Sequence, residues 1–256
     1  MIRRKLQENW KCVTQRVAEA ARRAGRDPSR ITIVAVTKSA TVDIIRTLLE
    51  IGVTDLGENR VQELVRRAAM LRESTQRRHA DESTVSTSAS RWHMIGHLQR
   101  NKVKQVLPWV DLIHSIDSLR LAEEMDLHMK ALGLKKMPVL LQVNAADEPS
   151  KTGVAVAATT HLAEQIASLP HLELRGLMAM APQTEDVNRI RLVFDRMREL
   201  FEEVVGLRTC GPSFAELSLG MSHDFEYAIE AGATIVRIGS ALFEGIELPP
   251  EPVHAD

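Results

Sequence analysis

Only two cysteines, Cys12 and Cys210, occur in 256 residues, too few for a disulfide framework and without metal-ligand spacing. That scarcity fits a reducing compartment. Charge of one sign is lacking too. Lys plus Arg number 33 against 34 Asp plus Glu, a net charge of -1 that gives no sign of a nucleic-acid surface. No stretch is long and apolar enough to span a bilayer, and the opening MIRRKLQENWKCV lacks the apolar core of a signal peptide. A cytoplasmic protein is the expectation. No G-x-G-x-x-G opens a first βα unit, which argues against a dinucleotide-binding sheet. There is also just one tyrosine, Tyr227. What remains is ordinary for a globular protein, 44% hydrophobic and 26% charged, and long enough for one α/β barrel to use the whole chain.

The chain is organised around residues 31–63, ITIVAVTKSATVDIIRTLLEIGVTDLGENRVQE. It opens with a β-branched, apolar run that reads as a strand buried on both faces. Lys38 stands where that strand runs out. A lysine stem placed there costs free energy unless the amine is paired, deprotonated or covalently used. A helical pattern follows to Gly52, then a short strand over 53–56 leading into Gly57-Glu58-Asn59. Before this stretch, Leu6, Trp10, Val13, Val17 and Ala20 mark an amphipathic helix over 3–23 with a solvated basic face, ended by Gly25 and Asp27-Pro28.

Helix continues over 61–71. Residues 73–90, ESTQRRHADESTVSTSAS, have almost nothing to bury and read as a mobile surface insertion. Strands are then predicted over 92–95, 110–116, 139–143, 172–180, 216–219 and 234–238. Helices fall between them over 99–107, 118–132, 154–169, 184–205 and 222–231, with a short one after Ser240. About eight strands alternating with helices, after one extra N-terminal helix, make a single (β/α)8 TIM barrel over residues 1–256.

Chemistry in such a barrel sits at the C-terminal strand ends. Lys38 is either a nucleophile or the partner of a carboxylate such as Glu58. Arg237-Ile238-Gly239-Ser240 ends the last strand, where free N–H groups and a hydroxyl suit a phosphate. Ser218-Leu219-Gly220-Met221-Ser222 adds two hydroxyls at the seventh strand end, although Ser222 also reads as a helix N-cap. Together the two segments form one phosphate cradle. His93 and His97 are four apart but lie on a strand pattern with no third ligand nearby, so no metal is expected. His114, His161 and His223 show no partner in the sequence. A lysine facing a phosphate cradle admits two classes: a Schiff-base aldolase of a sugar phosphate, or a protein holding pyridoxal 5'-phosphate (PLP). A cation at Arg237 would leave a pyridine nitrogen unprotonated and the cofactor a poor electron sink.

These residues resemble the YggS/PROSC family of PLP-binding proteins, or PLP homeostasis proteins, along nearly the whole chain. The matching pieces are AVTK with Lys38, LGENRVQE, WHMIGHLQRNK, HSID, QVNAADEPSKTG, GLMAM, LSLGMSHDFEYAI and VRIGSALFE. The resemblance implies a barrel like the N-terminal domain of alanine racemase, with PLP carried as a Schiff base on Lys38. It further implies a phosphate held by Ser218, Ser222, Gly239 and Ser240, Arg237 facing the pyridine nitrogen, and Asn59 and Met178 lining the ring. The implied role is intracellular PLP (vitamin B6) homeostasis and supply without robust catalysis, with PLP-dependent apoenzymes as recipients. The chain departs from the family at residues 73–90, at Leu219 and Ser240 (commonly Met and Thr), and at Glu244 (often Gly). The alternative is an amino-acid racemase of the alanine racemase type. That reaction needs a second acid/base opposite the lysine, and Tyr227 falls in a helix beside the barrel. The absence of a racemase-type second domain implies a monomer.

Overall fold

A computed structural model describes residues 2–79, 90–146, 148 and 152–249. After α1 (Ile2–Arg23) come β1 (Thr32–Val36), α2 (Val42–Glu50), β2 (Asp55–Glu58), α3 (Val61–His79), β3 (Arg91–Met94) and α4 (Val103–Val106). Then follow β4 (Leu112–Ile116), α5 (Leu119–Leu132), β5 (Met137–Asn144), the two-residue β6 (Val154–Ala155) and α6 (Val156–Ala167). The chain continues with β7 (Leu172–Met178), α7 (Val187–Leu207), β8 (Glu216–Ser218), α8 (Phe225–Glu230) and β9 (Ile235–Ile238).

Every pairing is parallel. Eight strands run β1-β2-β3-β4-β5-β7-β8-β9, and the ring closes where Ile33 of β1 pairs with Val236 of β9. β4 joins β5 through Ile113 and Val139, and β6 is a short annex on the end of β5. The (β/α)8 barrel expected from the alternation of patterns is the fold. Its parallel strands are covered by helices outside and side chains inside, which is why they read as apolar runs.

The main core lies between strands and helices, where Leu6, Ile45, Leu48, Leu56, Leu64, Phe194 and Phe225 are fully buried. Val34, Leu112, Leu140, Met178 and Ile235 form a separate, smaller apolar group, with Met180 packed against that group. These five side chains belong to the opposite, inward faces of β1, β4, β5, β7 and β9.

The leading helix is less an addition than a replacement. After β9 the described residues make only a three-residue 3-10 turn, Ser240–Leu242, and α1 packs against that turn, α8 and α2. Asn9 Nδ2 donates to the carbonyls of Leu242 and Glu244, both at 2.9 Å. Arg26 Nη1 donates to the carbonyls of Ile229 and Ala233 at 2.8 and 2.7 Å. Full burial of Leu6 on this face stabilises the docking by about 2 kcal/mol.

Three local expectations need revision. Helix α3 runs on through His79, so the first part of the segment read as a surface loop is helical; residues 80–89 lie outside the described residues. Helix α8 begins at Phe225, not Ser222, with Asp224 at its N-cap position. The short helix after Ser240 is a single 3-10 turn, so separate amides rather than a helix dipole are available there.

Candidate functional site

On the β1 side of the barrel mouth, a tight turn follows the strand: Thr37 N–H donates to Gly57 O at 2.9 Å and Ala40 N–H to Thr37 O at 2.8 Å. This turn carries Lys38, whose residue is exposed at the strand end, so the expectation of a buried stem gives way to an accessible one. Arg67 reaches up from α3 and holds the turn by its carbonyls, Nη1 to Thr37 O at 2.6 Å and Nη2 to Lys38 O at 3.2 Å. The same guanidinium bonds Glu58 Oε1, which also accepts from Thr37 Oγ1 at 2.5 Å. Glu58, the carboxylate expected as an alternative partner for Lys38, is thus held by Thr37 and Arg67. Its side chain is fully buried, and burial raises its pKa against the lowering effect of Arg67. Glu58 Oε2 has no hydrogen-bond partner among the described residues.

Next to β1 in the ring, β9 and its neighbour β8 end in loops tied together by one hydroxyl. Ser222 Oγ accepts from the N–H groups of Gly239 at 3.1 Å and Ala241 at 3.3 Å. It is therefore a cross-link between two strand ends rather than a helix cap. Two amides converging on one oxygen is the geometry that an anionic oxygen also uses. Gly239 is half-buried and Ser240 exposed. Gly220, with φ +84°, turns the β8 loop back against α8; a Cβ there would lie 2.6 Å from Ala228 Cβ.

Arg237 lies just below, buried. Nη1 donates to Ser218 O at 2.9 Å and Ser218 Oγ at 2.6 Å, and Nη2 to Ala179 O at 2.9 Å. Burial lowers its pKa to about 10, partly offset by Asp224, so it remains a cation at neutral pH. Ser218, expected among the phosphate donors, has its fully buried hydroxyl engaged here with Arg237 and with His114. Met178 is buried in the inner apolar group. Asn59 is half-buried after β2, with Gly96 pressed against its backbone; a Cβ on Gly96 would sit 2.1 Å from Asn59 O.

A polar chain through the barrel interior escaped the sequence reading. His114 Nδ1 lies 2.9 Å from Ser218 Oγ, and His114 Nε2 lies 2.9 Å from His93 Nδ1. His93 Nε2 then lies 3.0 Å from Asp55 Oδ1. Asp55 Oδ2 accepts from Thr54 Oγ1 at 2.7 Å and Arg91 Nη2 at 2.8 Å. Burial would raise the Asp55 pKa, but hydrogen bonds from His93, Thr54 and Arg91 outweigh it and hold the carboxyl at about 2. The signal in the sequence was a polar residue inside a short buried strand, in DLGE, RWHM and LIHSI alike.

His93 and His97 share no partner. Both ring nitrogens of His93 are engaged inside, while His97 Nδ1 pairs with Asp117 Oδ2 at 3.2 Å. No group of three or more His, Cys, Asp or Glu side chains able to hold a metal occurs among the described residues. Tyr227 lies on α8 in the outer layer, its ring 4.5 Å from the Arg191 guanidinium. No helix among the described residues is long and apolar enough to cross a membrane.

Residues 4–246 match the family described as alanine racemase, N-terminal domain. The pyridoxal phosphate homeostasis protein of Escherichia coli K12 is 40% identical over 232 residues, 90% of this chain and 92% of its own length. The chain belongs to the pyridoxal phosphate homeostasis protein family. Among solved structures, a Bifidobacterium adolescentis protein described as unknown is 36% identical with a TM-score of 0.84, covering 94% of this chain and 96% of its own. PipY of Synechococcus elongatus with PLP bound is 31% identical with a TM-score of 0.71, covering 89% and 99%. Within this pyridoxal phosphate homeostasis family member, the exposed lysine and the β8–β9 donors lie on neighbouring strand ends of the barrel mouth that such a fold uses for ligands.

Proposed function

We propose that this protein binds PLP and acts in its homeostasis, with Lys38 as the residue that holds the cofactor covalently. The observation carrying this reading is one sector of the barrel mouth where an exposed lysine on β1 stands beside a cation and converging amides on the neighbouring β9 and β8. The residues fit the group. Gly239 and Ala241 N–H, with the Ser222 and Ser240 hydroxyls, are donors for a phosphate dianion. Ser218 supports the site from below by fixing Arg237. Bound PLP supplies an electrophilic carbonyl carbon that takes up amines.

The chain's own groups then divide the work. Arg67 and Glu58 hold the turn that presents Lys38. Arg237, a donor without acceptor capacity, would face the ring nitrogen of bound PLP and leave it unprotonated, which would weaken any carbanion chemistry. Asn59 and Met178 would line the ring. Such a site retains and releases a cofactor more readily than it turns over a substrate. PLP-dependent apoenzymes are the recipients, and the protein works as a cytoplasmic monomer of one domain.

The test is spectroscopic. Purified protein with PLP is expected to show the visible absorption of an amine-bound pyridoxal, and Lys38→Ala to lose it. Borohydride fixation followed by peptide mapping locates the modified lysine; label on any lysine other than Lys38 overturns the assignment.

A further inference from the structure

The interior chain Arg237–Ser218–His114–His93–Asp55 runs from an obligate donor to an obligate acceptor. Arg237 has only N–H groups to offer, and Asp55, held ionised, has only lone pairs. Between them stand one hydroxyl and two imidazoles, linked by four contacts of 2.6 to 3.0 Å. Three proton arrangements are compatible with those contacts, the third being a doubly protonated His114 that donates to Ser218 Oγ and to His93 Nδ1. In the first, both rings are neutral and every proton points the same way: Arg237 to Ser218, Ser218 to His114 Nδ1, His114 Nε2–H to His93 Nδ1, and His93 Nε2–H to Asp55. In the second, His93 is an imidazolium donating at both ends, and His114 Nδ1–H points at Ser218.

Either of the other two arrangements leaves the Ser218 hydroxyl proton without an acceptor in a site where Ser218 is fully buried. Each also places a second cation in the barrel interior, near Arg237. An unsatisfied buried donor and an extra buried charge each cost free energy, whereas the first arrangement satisfies every member. Burial first, and then the neighbouring His93 and Arg237, push His114 well below the usual imidazole value, in keeping with a neutral ring.

We infer that Asp55, His93, His114 and Ser218 form a one-way hydrogen-bond relay of neutral Nε2–H imidazoles that positions the Arg237 guanidinium. The inference rests on the proposed PLP site for what Arg237 faces. The four are positioning residues. They set which acceptors Arg237 already serves, and so which of its N–H groups remain for a ligand at the mouth. The relay also reaches the far side of the strands. Arg91, with its side chain 58% exposed, pairs with Asp55 and so sits at the other end of the same line of bonds.

The experiment reads the imidazole nitrogens of His93 and His114 in ¹⁵N-labelled protein without PLP, then titrates wild type and Asp55→Asn with PLP. Wild type is expected to show, for both rings, a bare Nδ1 and a protonated Nε2. An imidazolium at His93, or a protonated Nδ1 at either ring, overturns the inference. Asn at position 55 can donate as well as accept, so the direction is no longer enforced. The His114 ring signals are expected to change although His114 does not touch residue 55, and PLP binding is expected to weaken about threefold to tenfold, the worth of one hydrogen bond. His114 signals and PLP affinity that both stay unchanged overturn it. If Asp55→Asn does not fold, Ser218→Ala cuts the relay at its other end and is read in the same two ways. A wild-type protein that binds no PLP sinks the proposed function, while the tautomer measurement still stands or falls alone.

Discussion

The mouth of the barrel and its interior are both rich in polar groups, yet they are built in opposite ways. In the interior, each polar side chain from Asp55 to Arg237 is matched donor to acceptor with its neighbour. At the mouth, Lys38 and Ser240 are exposed, and the Gly239 and Ala241 amides share one serine oxygen. The difference follows from solvent. The members of this interior chain have no water to fall back on and are paired with one another before any ligand arrives. Groups at the mouth are solvated without a ligand, so they can exchange water for phosphate and carbonyl at little cost in stability. Rigidity belongs to the floor and chemistry to the rim, with Arg237 serving both.

That contrast can be broken most forcefully under Lys38. Arg67→Met would leave the Glu58 carboxylate buried without its cation, and a loss of about 3–5 kcal/mol is expected in urea denaturation. A loss below about 1 kcal/mol would show that the floor is not a matched system. The interior chain comes next. Because Asp55 is held at about 2 against an ordinary 3.8, its contribution is fully present above pH 4 and is lost as pH falls toward 2. That contribution is about 2 kcal/mol, and Asp55→Asn should flatten this part of the stability–pH curve. His114 acts in the same sense at higher pH. Its depressed value means that stability declines as pH drops below 6.5, where the unfolded chain takes up the proton first. At the rim the expectation reverses. Ser240→Ala should change stability by less than about 0.5 kcal/mol. PLP affinity should nonetheless fall about threefold to tenfold in the same protein. A rim substitution that destabilised the fold would erase the distinction.

The barrel was legible because each parallel strand is an apolar run and each helix an amphipathic one, so the period changes mark every element. Lys38 and the Arg237–Ser240 segment were legible because they directly follow such runs. The relay was not, since its members are drawn from β2, β3, β4, β8 and β9, and His114 finds Ser218 across 104 residues. Only the closure of the ring brings them together. Helix α3 was read too short for another reason. Its continuation, ESTQRRH, contains no apolar residue, yet Glu, Gln and Arg favour helix without any apolar periodicity. Ser222 reads equally well as a cap or as a ligand. Only the approach of Gly239 and Ala241 shows that it joins two strand ends.

Asn9 grips Leu242 and Glu244, so the place an eighth outer helix would fill is taken by the segment that precedes the first strand, and its seat is made by the segment that follows the last one. On the ribosome, α1 must therefore remain undocked, its Leu6, Val13 and Val17 face bare, until β9 has emerged and paired with β1. Contacts spanning more than 230 residues make this a late event in folding, and a slow one for a chain of this size. An interval in which an amphipathic helix waits for the last barrel strand to arrive is when a chaperone would be needed most.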